Sequence, residues 1–206
     1  LALRLSDYEF KAASRDGFGD DWPISYADVA PYYDKVDRYL GISGITENLP
    51  WLPDSIYQRP TRMNAAEIHI RNTIGPKGRV LTPFRLGVTT DGLAHNKYRS
   101  RCLGRGACFR RVGGCDIHAA FDSPSGLIYP ALDTGHLTVR TNSTVYEVMV
   151  DPRSGLASGV SFLDSKTNTS YRAKARVVML GASTLESTRI LLNSRSRQFP
   201  TGLANS

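Results

Sequence analysis

The sequence predicts an α/β fold in which a β-meander runs into a strand-turn-helix unit. Three observations carry this. Leu137 to Arg140, Val145 to Val150, Ser158 to Leu163 and Arg176 to Leu180 are β-branched runs bounded by turn residues. The fourth run is apolar at every position after Arg176, the pattern of a central strand covered on both faces. It leads straight into Gly181-Ala182-Ser183-Thr184-Leu185-Glu186, where Ser183 and Glu186 stand as a capping box opening a helix that ends near Asn193.

The connections fit the same reading. Asp151-Pro152-Arg153-Ser154-Gly155 places Pro where a turn wants a fixed φ, and Asp164 to Ser170 is a polar Ser/Thr/Asn cluster, so 144–173 is an antiparallel meander. A buried strand, a small-residue turn and a capped helix form the unit that α/β sheets use to hold nucleotides. Small residues at 181 and 182 let a ligand approach the backbone. Capping alone equally explains Ser183 and Glu186.

Before the meander the chain reads differently. Residues 1–60 are rich in aromatics, and Ser25-Tyr26-Ala27-Asp28 is a helix-start box. Pro31 suits a first helical turn and Gly41 a left-handed cap, while Tyr32, Tyr33, Val36, Tyr39 and Leu40 recur at helical spacing. The spacing predicts an amphipathic helix over 31–40. From Leu49 to Lys97 prolines interrupt every run except a helix near Asn64 to Ile74, the pattern of loops laid over a larger body. Residues 95–115 form a Gly-, Arg- and Cys-rich loop. We divide the chain at 1–130, with Pro-rich loops and the Cys/Arg loop, and 131–206.

Composition sets the outer limits. With 206 residues, 41% hydrophobic and 22% charged, the chain is an ordinary globular sequence, which excludes collagen, low-complexity disorder and a disulfide-dense mini-protein. No apolar run approaches the roughly 18 residues a bilayer span needs. Leu1 in place of Met and the close at Asn205-Ser206 suggest an excerpt of a longer chain. Cys102, Cys108 and Cys115 leave the compartment open, since free thiols and one bridge plus a spare both match three cysteines.

The combination of Trp22-Pro-Ile-Ser-Tyr-Ala-Asp-Val-Ala-Pro-Tyr-Tyr, Leu137-Thr-Val-Arg with Val145-Tyr-Glu-Val, and Val177-Val-Met-Leu-Gly-Ala-Ser-Thr-Leu-Glu-Ser-Thr-Arg-Ile-Leu-Leu-Asn-Ser resembles the middle of glucose–methanol–choline (GMC) oxidoreductases. The resemblance runs over nearly the whole chain and is most specific at 177–194. It implies part of a GMC-type FAD-binding domain over 131–206 with part of the substrate-binding domain, a substrate-side region, over 1–130, and oxidation of an alcohol or sugar CH–OH group with hydride passing to flavin. It also implies that Val145 lies by the adenine of FAD, that Gly181 and Ala182 lie along the adenosine, and that Ser183 and Glu186 shape the helix start beside them. The electron acceptor stays unidentified.

The same resemblance marks what this stretch does not carry. The fingerprint Gly-x-Gly-x-x-Gly after a strand is not found, because Gly104-x-Gly106 lies in a loop. None of His69, His95, His118 and His136 stands in the family's catalytic context, so no catalytic residue is assigned. Some relatives resembling sugar and gluconate dehydrogenases carry a cysteine cluster here, and a few of them hold an iron–sulfur centre. The spacing Cys102-x5-Cys108-x6-Cys115, with Arg105 and Arg111 between, is wide for such a centre or for zinc with His118, and no metal is assigned.

Two other classes stay in view. The excess of 26 Lys and Arg over 19 Asp and Glu includes Lys97, Arg99, Arg101, Arg105, Arg110 and Arg111 in one stretch, as a nucleic-acid-binding module would. A metal-bearing electron-transfer module would use the cysteines. Neither accounts for the strand-to-helix junction, and no nucleic-acid module or aromatic interleaving accompanies the arginines.

Overall fold

The computed structural model describes residues 2–104 and 114–203. The chain divides into two compact units, Leu1–Leu137 and Thr138–Ser206.

The first unit is helices and extended segments held by buried polar side chains. Short α1 (Asp7–Phe10) and α2 (Ala12–Asp16) precede α3 (Tyr26–Leu40), α4 (Ala65–Ile74), a 3-10 turn at Gly75–Lys77, a π-type turn at Pro124–Ile128 and α5 (Tyr129–Asp133). Helix α3 begins five residues earlier than the sequence spacing suggests. Asp28 accepts hydrogen bonds from both the amide and hydroxyl of Ser25, which starts the helix there, and Pro31 lies inside it. So close to the N-terminus a proline removes only one backbone bond, which the cap and the packed C-terminal turns offset. Gly41 then closes α3 at φ +70, as expected.

Arginines fasten this unit. Buried Arg4 donates to Asp34, to Asp37 and to the Tyr26 hydroxyl, and Ser55 joins the same group. Burial works against its cation, yet these partners hold its pKa above the ordinary value. Buried Arg85 donates to Pro53 O at 2.6 Å and to Asp54 at 2.8 Å. Buried Arg99 donates to the carbonyls of Leu40, Gly87, His118 and Ala119, joining the end of α3 to two extended segments. Burial lowers the Arg99 pKa from its usual value. These segments pair through isolated bridges such as Ser43 with Leu86 and Val88 with Ala120 and through backbone bonds such as Thr89 N to Ala119 O, and the buried side chains add to those ties.

The second unit is the meander β1 (Ser143–Val150), β2 (Ala157–Asp164), β3 (Thr169–Lys174), followed by α6 (Ser183–Asn193). The strands pair antiparallel in the order β1-β2-β3. The register sets Val145 opposite Phe162, and Phe162 opposite Tyr171, with irregularities after Val145 and Met149. The turns form as the sequence indicates. Asp151 accepts from the amides of Arg153 and Ser154 with Gly155 at φ +71, and Asp164 accepts from the amides of Lys166 and Thr167.

Two expected strands do not form. Residues 137–140 and 176–180 are irregular, and within the second stretch Val177 and Met179 are 74% and 90% exposed. A strand exists only where neighbours complete its ladder, and among the described residues none pairs with 176–180. The architecture remains mixed α and β, with helices and one small antiparallel sheet.

Candidate functional site

The candidate site lies at the start of α6. Gly181, Ala182 and Ser183 turn the chain from the exposed segment 176–180 into the helix. A β-carbon built on Gly181 would meet no atom within 4 Å, so its backbone faces open space. Ala182 is the N-cap residue, with φ −88 and ψ 28, and no side chain caps the helix.

This corrects the capping-box expectation for Ser183 and Glu186. Ser183 lies one residue past the cap with φ +69, a left-handed conformation unusual for a side-chain-bearing residue. Its hydroxyl is therefore not at the N-cap position. Glu186 instead accepts from Arg189, at 2.8 Å from Nε and 2.7 Å from Nη2. A local ion pair at i,i+3 replaces the reach back to the cap.

The other end of α6 is firmly built. Ser194 is buried; its hydroxyl donates to Ile190 O and accepts from the Val148 amide at 2.8 Å. Leu203 N donates to Leu191 O, and Gly202, at φ +104, lies against the Leu192 backbone. Ile190 of α6, Val148 of β1 and Phe162 of β2 are buried, and α6 packs on β1. The helix is thus pinned through its C-terminal turn onto β1, while its N-terminal turn stays open.

Among the residues singled out from the sequence, Gly181, Ala182, Ser183 and Glu186 form one contiguous exposed segment. Val145 sits half-buried on β1, the strand on which α6 packs. Exposed Leu185 adds an apolar side chain to the first turn of the helix. Open backbone beside an apolar side chain leaves room for a ligand to approach this turn closely. Ser194 was not singled out from sequence: a serine after Leu191-Leu192-Asn193 gives no local sign of a tertiary hydrogen bond.

The remaining chemistry-bearing residues lie in the first unit. His69 is on exposed α4, and His136 is exposed near Thr134. His95 Nε2 lies 3.0 Å from Tyr39 O, and His118 Nδ1 lies 2.8 Å from Asp122. Burial raises the Asp122 pKa, but hydrogen bonds from the Ser125 amide and hydroxyl and from His118 outweigh it and bring it down to about 2.

The basic stretch is only partly available to solvent. Lys97 pairs with Asp133 at 2.7 Å, and Arg99 is buried on carbonyls. Arg99 is taken up by the structure, whereas the Lys97 side chain stays 71% exposed. Arg105, Arg110, Arg111 and Cys108 lie outside the described residues. Cys102 and Cys115 are half-buried free thiols, and Cys102 Sγ accepts from Gly104 N at 3.5 Å. Among the described residues no three His, Cys, Asp or Glu side chains converge as a metal site, and no helix is long and apolar enough to cross a membrane.

Comparison with known proteins gives this geometry a context. The family model described as GMC oxidoreductase matches residues 18–197. The chain is 26% identical over 216 residues to the 2-methyl-1,2-propanediol dehydrogenase of Mycolicibacterium austroafricanum, covering 98% of this chain and 36% of that protein. It is 27% identical over 199 residues to the 6'''-hydroxyparomomycin C oxidase of Streptomyces lividus, covering 92% of this chain and 34% of that protein. It is 26% identical over 213 residues to the fructose dehydrogenase large subunit of Gluconobacter japonicus, with 96% and 35% covered. The chain spans about a third of the length of these curated relatives. With the family model covering most of its residues, including the turn at Gly181 and helix α6, the chain belongs to the GMC oxidoreductase family.

Proposed function

We propose that the chain is part of an FAD-dependent dehydrogenase that oxidises a CH–OH group of an alcohol or sugar. Relatives named for a diol, for fructose and for aminoglycosides support that substrate class. Their names include both dehydrogenase and oxidase; the dehydrogenase reading follows the diol and fructose enzymes. When bound, the flavin accepts hydride from the substrate carbon and later gives its electrons to an acceptor that this chain does not identify.

In this reading the second unit lies along the adenosine half of FAD. Gly181 and Ala182 offer bare backbone to the ligand, Val145 supplies apolar surface from β1, and Ser183 and Glu186 shape the first turn of α6. The first unit belongs to the substrate side. Acid–base chemistry is assigned to none of His69, His95, His118 and His136.

The observation that carries the proposal is the open, uncapped turn at Gly181 within the stretch matched by the family model. Titrating the isotopically labelled chain with FAD, and separately with AMP, tests it by backbone amide NMR. Saturable shifts at 181–186 and on β1 near Val145 are expected for both ligands, with loss in Gly181→Val. Shifts absent from 181–186 at millimolar FAD, or unaltered by Gly181→Val, overturn the adenosine placement.

A further inference from the structure

Three buried side-chain atoms have no hydrogen-bond partner among the described residues: Glu47 Oε2, Tyr57 Oη and Arg85 Nε. All three belong to the first unit, and they are neighbours. Asp54 Oδ1 accepts from Glu47 N at 3.1 Å and from Arg85 Nη2 at 2.8 Å, which sets Glu47 beside the guanidinium. The centre of the Tyr57 ring lies 5.3 Å from the same guanidinium carbon.

Backbone pairing brings their segments together. Ser43 bridges to both Gln58 and Leu86, and Gly44 N donates to Gln58 O, so residues 43–48, 54–58 and 85–86 leave one junction side by side. The junction is tightly packed, since a β-carbon on Gly44 would fall 3.0 Å from the Tyr57 ring. Arg85 is 3% exposed and spends its terminal nitrogens on Pro53 O and Asp54, which leaves its Nε–H unpaired. Buried polar atoms in folded proteins are nearly always paired, so three unpaired ones in one neighbourhood point to a shared partner.

The chemistry of the three atoms selects that partner. Arg85 Nε only donates, a carboxylate oxygen only accepts, and the Tyr57 hydroxyl does both. Burial pushes the Tyr57 phenol above its usual pKa, so it keeps its proton. The partner therefore has to accept from the guanidinium and donate to the carboxylate. An anion there would face the carboxylates of Glu47 and Asp54, and a cation would face the Arg85 Nε–H. A small neutral molecule that both donates and accepts meets all three, and two to four such bonds are what a buried water makes. We propose that Glu47 Oε2, Tyr57 Oη and Arg85 Nε bind one internal water molecule, which accepts from Arg85, donates to Glu47 and shares a hydrogen bond with Tyr57. That water joins side chains from three separate segments of the first unit.

A crystal structure of the full 206-residue chain tests this without any variant. Density for one water within about 2.7–3.2 Å of all three atoms is expected. The proposal is overturned if the Glu47 carboxylate lies directly on Arg85 Nε, if another side chain fills the position, if the density is that of an ion, or if there is none. Oxygen-17 relaxation dispersion of the solvent gives a second test in solution, because it registers waters held longer than the tumbling time and is blind to exchanging hydroxyl protons. Glu47→Met removes the acceptor and substitutes an apolar chain of similar length, while the amide at 47 keeps its bond to Asp54. The dispersion amplitude is expected to fall by the contribution of one long-lived water, and equal amplitudes in parent and variant overturn the proposal. Should Glu47→Met fail to fold, the crystal structure of the parent decides alone. Neither measurement depends on flavin binding.

Discussion

The backbone amide of Val148 donates to the Ser194 hydroxyl at 2.8 Å, 46 residues away in sequence, and that hydroxyl in turn donates to Ile190 O. Strand β1 is thereby tied to the last turn of α6 through one buried oxygen. Ser194→Ala leaves the Val148 amide buried and unpaired and is expected to cost the second unit about 1–3 kcal/mol. Urea unfolding followed by far-ultraviolet circular dichroism checks this; an unchanged midpoint contradicts it.

Two glycines of the second unit should respond in opposite ways. Gly202 has φ +104, and a β-carbon there would lie 2.6 Å from Leu192 O, so Gly202→Ala meets both strain and backbone. A loss of about 1–3 kcal/mol is expected. Gly181→Ala faces open space and should stay within about 0.5 kcal/mol of the parent. Thermal melts of the two variants side by side decide the matter.

Arg99 satisfies carbonyls at Leu40, Gly87, His118 and Ala119 at once. Arg99→Met keeps much of the stem but strands those oxygens, and a loss of about 3 kcal/mol or more is expected. Arg101→Met, two residues further on at an exposed position, should change little. Equal effects in the two variants would show that Arg99 is not the fastener described.

The Asp122 carboxyl titrates at about 2 in the folded chain, below its ordinary 3.8, because the Ser125 amide, the Ser125 hydroxyl and His118 favour the charged form against burial. A depressed folded pKa means stability that is present above the unfolded value and lost as pH falls through the folded one. The window is therefore about pH 4 down to pH 2. Other carboxylates, among them Asp21, Asp151 and Asp164, are also held below their ordinary range, so the measurement is the difference in unfolding midpoint between parent and Asp122→Asn across that window. It should shrink as pH falls; a constant difference contradicts the assignment.

Local signals in the sequence were legible wherever their partners lie close by. The Asn64 cap, where Glu67 and Asn64 exchange hydrogen bonds, and the aspartate turns at Asp151 and Asp164 are satisfied within three residues, so pattern alone finds them. Residues 176–180 are different. Their apolar run reads as a central strand, but strand formation depends on neighbours outside the run, and none of the described residues supplies them. At the candidate site, composition located the small-residue turn at Gly181 and Ala182. It could not foresee that Ser183 would adopt φ +69 and that Glu186 would turn to Arg189, because the choice between cap and ion pair depends on backbone angles at one residue.

Helix α4 buries none of its residues and holds its shape through the Asn64–Glu67 exchange and its own backbone. A substitution along it alters helix propensity and little else, typically under about 1 kcal/mol. Among the described residues α4 is therefore a stretch free to drift by mutation, and a suitable place to attach a dye or an affinity tag.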